Sequence, residues 1–133
     1  MGKPAANASS TVTAVDTHIV MVPTPGGPVP TPLPHPFSGQ FGGGMANAVK
    51  IGGQPAAVVG SIANASPPHI PTPPGTAFQK PPANQGSVFM GSMSVKIGGQ
   101  AAARSGDPVK TCNDPADAPV GQITAAGTVM VGG

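Results

Sequence analysis

His18, His35, His69 and Cys112 are the residues of this 133-residue chain best suited to chemistry. Imidazole nitrogen and thiolate sulfur both bind zinc, at about 2.0–2.1 Å and about 2.3 Å, and four such ligands close a tetrahedron. A closed sphere marks a structural ion, because a catalytic zinc keeps one position for water or substrate. The spacing is not that of a zinc finger. The order lies elsewhere, in the distance of each residue from a repeated segment. Twelve residues separate Ala6 from His18, twelve separate Ala57 from His69, and nine separate Ala103 from Cys112. Ala6, Ala57 and Ala103 hold equivalent places in three copies of one motif. Three units around an axis would therefore each send one ligand to a common point, and His35 completes the set. One structural Zn²⁺ is the expected cofactor.

Other chemistries find less support. The acids are Asp16, Asp107, Asp114 and Asp117, with no glutamate, so general acid–base options are few. Cys112 and His69 could pair as nucleophile and base, but their places in the repeat fit metal ligation better. Residues 87–93 contain glycines without the phosphate-loop pattern. The six basic residues are scattered from Lys3 to Lys110 and no aromatic platform accompanies them, which excludes nucleic acid as the expected partner. The reading is of a protein that is not an enzyme.

The elements that must position these residues come from the repeat. Residues 49–57 read VKIGGQPAA and residues 95–103 read VKIGGQAAA, two copies of one supersecondary unit. A third copy is split between the ends: residues 128–133 read TVMVGG and residues 1–6 read MGKPAA. The units centre on residues 49–61, on 95–107, and on 128–133 with 1–10. A repeat cut in this way predicts a closed ring in which the N- and C-terminal segments pair, leaving no open sheet edge there. Val49–Lys50–Ile51 and Val95–Lys96–Ile97 alternate as half-buried strands do. The glycine pairs that follow suit two-residue hairpin turns. Glycine or proline interrupts every window with helical spacing. The fold class is therefore all-β: a small cone of three hairpin units in one domain, 1–133.

Composition agrees. Glycine (20) and proline (19) are abundant, yet 38% of residues are hydrophobic and 8% charged, unlike a solvated coil. The core must be thin, with Phe37, Phe41, Phe78 and Phe89 as its only aromatic side chains besides histidine. A metal would supply order that small side chains cannot. Residues 22–36 and 67–82 carry seven prolines each and read as long Pro-rich loops. PTPLPHP at 30–36 also resembles a polyproline ligand, without the arginine that orients such ligands. No apolar run is long enough to cross a membrane and no Sec-type leader is visible. The expectation is a protein made and assembled in the cytoplasm that leaves by another route.

The segments GKPAA (2–6), GGQPAA (52–57) and GGQAAA (98–103), the last followed by Arg104-Ser105-Gly106-Asp107, resemble the repeat of PAAR-domain proteins. The arginine of that motif stands only in the third unit, where Ala101 replaces the proline; the first two continue with Asn7 and Val58. The resemblance spans the whole chain and leaves no room for an appended effector domain. It implies a pointed β cone, monomeric alone, that caps the trimeric, VgrG-like β-helical spike of a type VI secretion system or related contractile injection machine. It implies a zinc near the apex bound by three histidines and a cysteine, here His18, His35, His69 and Cys112. It implies transient contact with a target membrane and export with the machine. The alternative is an adaptor whose Pro-rich loops recruit effector proteins to the spike.

Overall fold

The computed structural model describes residues 2–132. Its strands are β1 (Lys3–Pro4), β2 (Thr11–Val22), β3 (Val29–Gly43), β4 (Ala46–Ile51), β5 (Gln54–Ala56), β6 (Ile62–Ala65), β7 (Ala77–Phe78), β8 (Gln85–Val88), β9 (Lys96–Ile97), β10 (Gln100–Ala101), β11 (Pro108–Thr111), β12 (Ala118–Thr124) and β13 (Met130–Val131). No helix occurs among the described residues, and the protein is all-β as its sequence predicts.

Six strands close a barrel in the order β12-β11-β8-β6-β3-β2, with β2 returning to β12. Every pairing in it is antiparallel. Alternation along the strands fills the interior: Val12 from β2, Phe37 and Phe41 from β3, Ala63 and Ala65 from β6, Val88, Val109 and Ile123. Side chains of alternate residues on a strand share a face. The face that places Val12 inside therefore also carries Asp16, His18 and Val20 inward, all buried.

Three short strand pairs sit outside the barrel. β4 pairs with β5 and β9 with β10. Their turns are Gly52–Gly53 (φ 59° and 83°) and Gly98–Gly99 (φ 59° and 85°), and two successive positive φ values make the hairpin turn for which glycine is suited. The third pair is β1 with β13, Lys3 opposite Val131 and Pro4 opposite Met130. The N- and C-terminal segments are thus neighbours, as the split copy predicts; Met1 and Gly133 lie outside the described residues.

The three pairs meet through their alanines. Ala6 N–H donates to the Ala103 carbonyl (3.0 Å), Ala103 N–H to Ala57 (3.0 Å), and Ala57 N–H to Ala6 (3.1 Å). All three are buried. One turn design follows each alanine. The N–H of Asn7, Val58 and Arg104 donates to the side chains of Ser10, Ser61 and Asp107 at 3.0, 2.9 and 2.7 Å. The N–H of those last three returns to the carbonyls of Asn7, Val58 and Arg104. Arg104 adds two side-chain bonds to Asp107.

One expectation is corrected. Most of the Pro-rich stretch 22–36 is strand, and only residues 23–28 connect β2 to β3. Prolines at 30, 32, 34 and 36 recur with strand period, and their nitrogens face away from β2, so the β2–β3 ladder loses no bond. Residues 67–82 are irregular apart from β7, in keeping with a loop.

Candidate metal centre

Further along β2, about 20 Å past Thr11 at 3.3 Å per residue, Asp16 and His18 point into the barrel. His69 approaches from the segment after β6, and Cys112 directly follows β11. One ligand atom from each of Asp16, His18, His69 and Cys112 lies within 4.8 Å of all the others, and all four residues are buried. Cys112 Sγ is 3.7 Å from His18 Nε2 and 3.7 Å from Asp16 Oδ2. His69 Nε2 is 2.9 Å from Asp16 Oδ2. A tetrahedral ion with metal–nitrogen and metal–oxygen distances of about 2.0–2.1 Å and metal–sulfur of about 2.3 Å sets its sulfur-containing edges near 3.6 Å. Of the three sulfur edges, those from Cys112 to His18 and to Asp16 match, and the His69–Asp16 contact would open by a few tenths of an ångström. The group could hold a metal ion.

A surrounding layer fixes the four. Asp16 Oδ1 accepts from the Thr111 hydroxyl and, at 3.4 Å, from Asn113 Nδ2. Asn113 is held in turn by Thr17 N–H (2.6 Å). Asp114 Oδ2 accepts from Ile19 N–H at 2.9 Å and lies 3.5 Å from His18 Nδ1. His18 Nδ1 is buried without a hydrogen-bond partner. With Nε2 turned to a metal, Nδ1 carries the proton and faces Asp114, the carboxylate–histidine arrangement common behind metal-bound imidazoles. His69 N–H donates to Asn84 Oδ1 (2.9 Å), and Cys112 N–H to the Gln85 carbonyl (3.1 Å).

Electrostatics divides the donors. Burial pushes the pKa of His18 below the usual imidazole range, against the nearby Asp114 carboxylate, which raises it. Burial likewise lowers that of His35. Both imidazoles are thereby kept neutral, the form that binds metal. Burial raises the Cys112 thiol, and the Asp16 carboxylate raises it further. A metal ion beside it would reverse that balance.

The structure brings together His18, His69 and Cys112, the three residues that the repeat predicts. His35 is buried beside them, its ring centroid 5.3 Å from that of His18 and 5.8 Å from that of His69. Both its nitrogens are engaged: Nδ1 lies 2.9 Å from the Leu33 carbonyl, and Nε2 accepts Thr72 N–H at 3.1 Å. Asp16 takes the place among the four ligand atoms that the sequence reading gives to His35. Asp16 has a signal in the sequence, since it stands two residues before His18 on one strand face. The supporting roles of Thr111, Asn113 and Asp114 have none beyond closeness to Cys112. Comparison of the chain with protein families, with curated proteins and with solved structures finds no match.

Proposed function

We propose that this protein is the metal-stapled tip of a contractile-injection spike, of the PAAR-like kind. The observation that carries the reading is the closed set of bonds among Ala6, Ala57 and Ala103, with His18, His69 and Cys112 converging downstream of those same alanines. A single chain built from three such units can sit on the end of a threefold trimer as a monomer. The three strand pairs form the docking face: β4, β13 and the segments preceding β9 and β13 expose Val49, Met130, Met93 and Val129, apolar surface that a partner would cover. The ion is a structural Zn²⁺ bound by His18, His69, Cys112 and Asp16, with His35 packed alongside. A thiolate with imidazole and carboxylate donors suits zinc, and a site walled by buried ligands serves stability rather than turnover. Assembly in the cytoplasm and export with the machine complete the reading.

The test is co-purification with a trimeric β-helical spike protein. One tip chain per three spike chains and one zinc per tip chain are expected by native mass spectrometry. A self-trimer of the isolated tip, or a zinc-free complex, would refute the proposal. A second reading, effector adaptor, is favoured by one feature. A groove of about 400 Å³ beside His35 and His69 is walled by Pro67, Pro68, Ile70 and Pro71, and Ile70 is 77% exposed. Loss of cargo, but not of spike capping, on substitution of Ile70 by Asp would support it.

A further inference from the structure

The hairpin of β2 and β3 extends past the end of β6. β6 pairs with β3 between Gly39 and Gly43, and the last rung on that side is Ser66 N–H to the Ser38 carbonyl. From Pro36 back to Val29 that side of β3 has no strand neighbour among the described residues. Backbone groups of successive residues in a strand point to opposite sides, so all even-numbered residues of β3 present theirs together. Two contacts fix which side: the Ser38 carbonyl accepts from Ser66, and the Pro34 carbonyl from the Thr72 hydroxyl at 2.7 Å. Even-numbered residues face away from β2.

On the open stretch those residues are Pro30, Pro32, Pro34 and Pro36, without exception. The odd-numbered residues Thr31, Leu33 and His35 keep their N–H groups for β2, opposite Val20, His18 and Asp16. The prolines end where β6 begins to pair, at Ser38 and Gln40. The row therefore offers carbonyls, that of Pro34 already taken by Thr72, and not one N–H donor.

The other edge of the hairpin is closed by a different device. Thr17 N–H and Ile19 N–H are taken by the side chains of Asn113 and Asp114. The carbonyls of Thr17, Ile19 and Met21 accept from the N–H groups of Asp114, Gln79 and Thr76. The β3 edge has no such guard of its own, because residues 17–49 contain no Asp, Glu, Lys or Arg. Val15 and Val29 are exposed on the hairpin. Residues 67–73 flank the β3 edge beside His35, Pro36 and Ser38 without forming a strand, and without the prolines the edge would be an uncharged row of free backbone groups, the kind that templates association.

We propose that Pro30, Pro32, Pro34 and Pro36 close this edge to strand addition, the excluded partner being the same edge of a second copy of the chain. Two such edges meeting antiparallel would have to exchange N–H···O bonds, and neither has an N–H to give. The inference stands on register and residue identity and is independent of the metal.

The test replaces all four prolines by Thr, which restores the donors and favours strands, and in a second variant by Lys, which restores the donors but guards the edge by charge. Light scattering at tens of micromolar protein should find the parent and the Lys variant monomeric and the Thr variant dimeric or larger. Hydrogen exchange should show new protection over residues 29–36 in the associated Thr variant alone. A monomeric Thr variant, whatever its melting temperature, would overturn the proposal, since the prolines would then only stiffen the chain. Association of the Thr and Lys variants alike would also overturn it, because misfolding rather than edge pairing would be the cause.

Discussion

Asp16→Asn separates a metal ligand from a residue that merely packs near one. The Asp16 carboxylate is fully buried, with Oδ2 3.7 Å from Cys112 Sγ and Oδ1 bonded by Thr111. Asparagine keeps the volume and the Thr111 bond but removes a negative charge. With Cys112 as thiolate and Asp16 ionised, a divalent ion is neutralised; with asparagine one positive charge is left in the same buried place. Loss of a partner in the layer behind the ligands costs about 10–100-fold in metal affinity. Loss of an anionic ligand should exceed the upper end, so at least ~100-fold is expected, or about 2.7 kcal/mol. Binding confined to the folded state carries the same amount into stability at fixed free zinc. For a domain of this size that lowers the melting temperature by about 10 °C. His35→Gln, which leaves the four ligand atoms in place, should stay within about tenfold of the parent, the lower end of the range for a supporting residue. The assay is competition with a chromophoric zinc chelator, paired with thermal melts in zinc and in excess chelator. In chelator the gap between Asp16→Asn and the parent should shrink, because the metal no longer contributes to either. The reasoning fails if Asp16→Asn binds within tenfold of the parent while His35→Gln loses a hundredfold; His35 would then be the fourth ligand.

Metal-free protein should be most stable in a window of pH. His18 and His35 resist protonation in the fold, so below about pH 6.5 the unfolded chain binds more protons and stability falls with the pH. The Cys112 thiol resists ionisation in the fold, so above about pH 8.5 the unfolded chain ionises first and stability falls again. Denaturant titrations at pH 5, 7.5 and 9.5 check both limbs, and a flat profile would refute the burial argument. Deleting residues 128–133 removes buried Val131 and leaves Ala5 N–H, the Ser92 hydroxyl and Arg104 without the Val129 and Gly132 carbonyls. Roughly 2 kcal/mol for the valine and about 1 kcal/mol for each lost bond amount to about 5 kcal/mol, a large share of a domain's usual stability of about 5–15 kcal/mol. The truncated chain should be insoluble or melt far below the parent; a melting temperature within 2 °C would refute the seam.

What could be read in the sequence was what the repeat encodes. The glycine-pair turns, the pairing of the terminal segments and the meeting of His18, His69 and Cys112 all follow from placing Ala6, Ala57 and Ala103 in equivalent positions. The barrel was not legible. β6, β8 and β11 read IANA, QGSV and PVKT, too short and too poor in large apolar residues for alternation to rise above their surroundings. β3 was obscured because proline density reads as a loop until its parity is compared with a neighbouring strand. Asp16 lies outside the His/Cys count, and such a carboxylate becomes a candidate ligand only once its strand face is known.

The bonds among Ala6, Ala57 and Ala103 have no first or last member. Freeing any one segment breaks both the bond it donates and the bond it accepts. The alanines lie 51 and 46 residues apart along the chain, so no local fraying reaches all of them. Hydrogen exchange at the three amides thus reports a single event, the opening of the whole domain, at the global unfolding free energy. Formation carries the same cost in reverse: the ring closes only after two long loops have been ordered, which places this small protein among slow folders, its rate set by topology rather than by size.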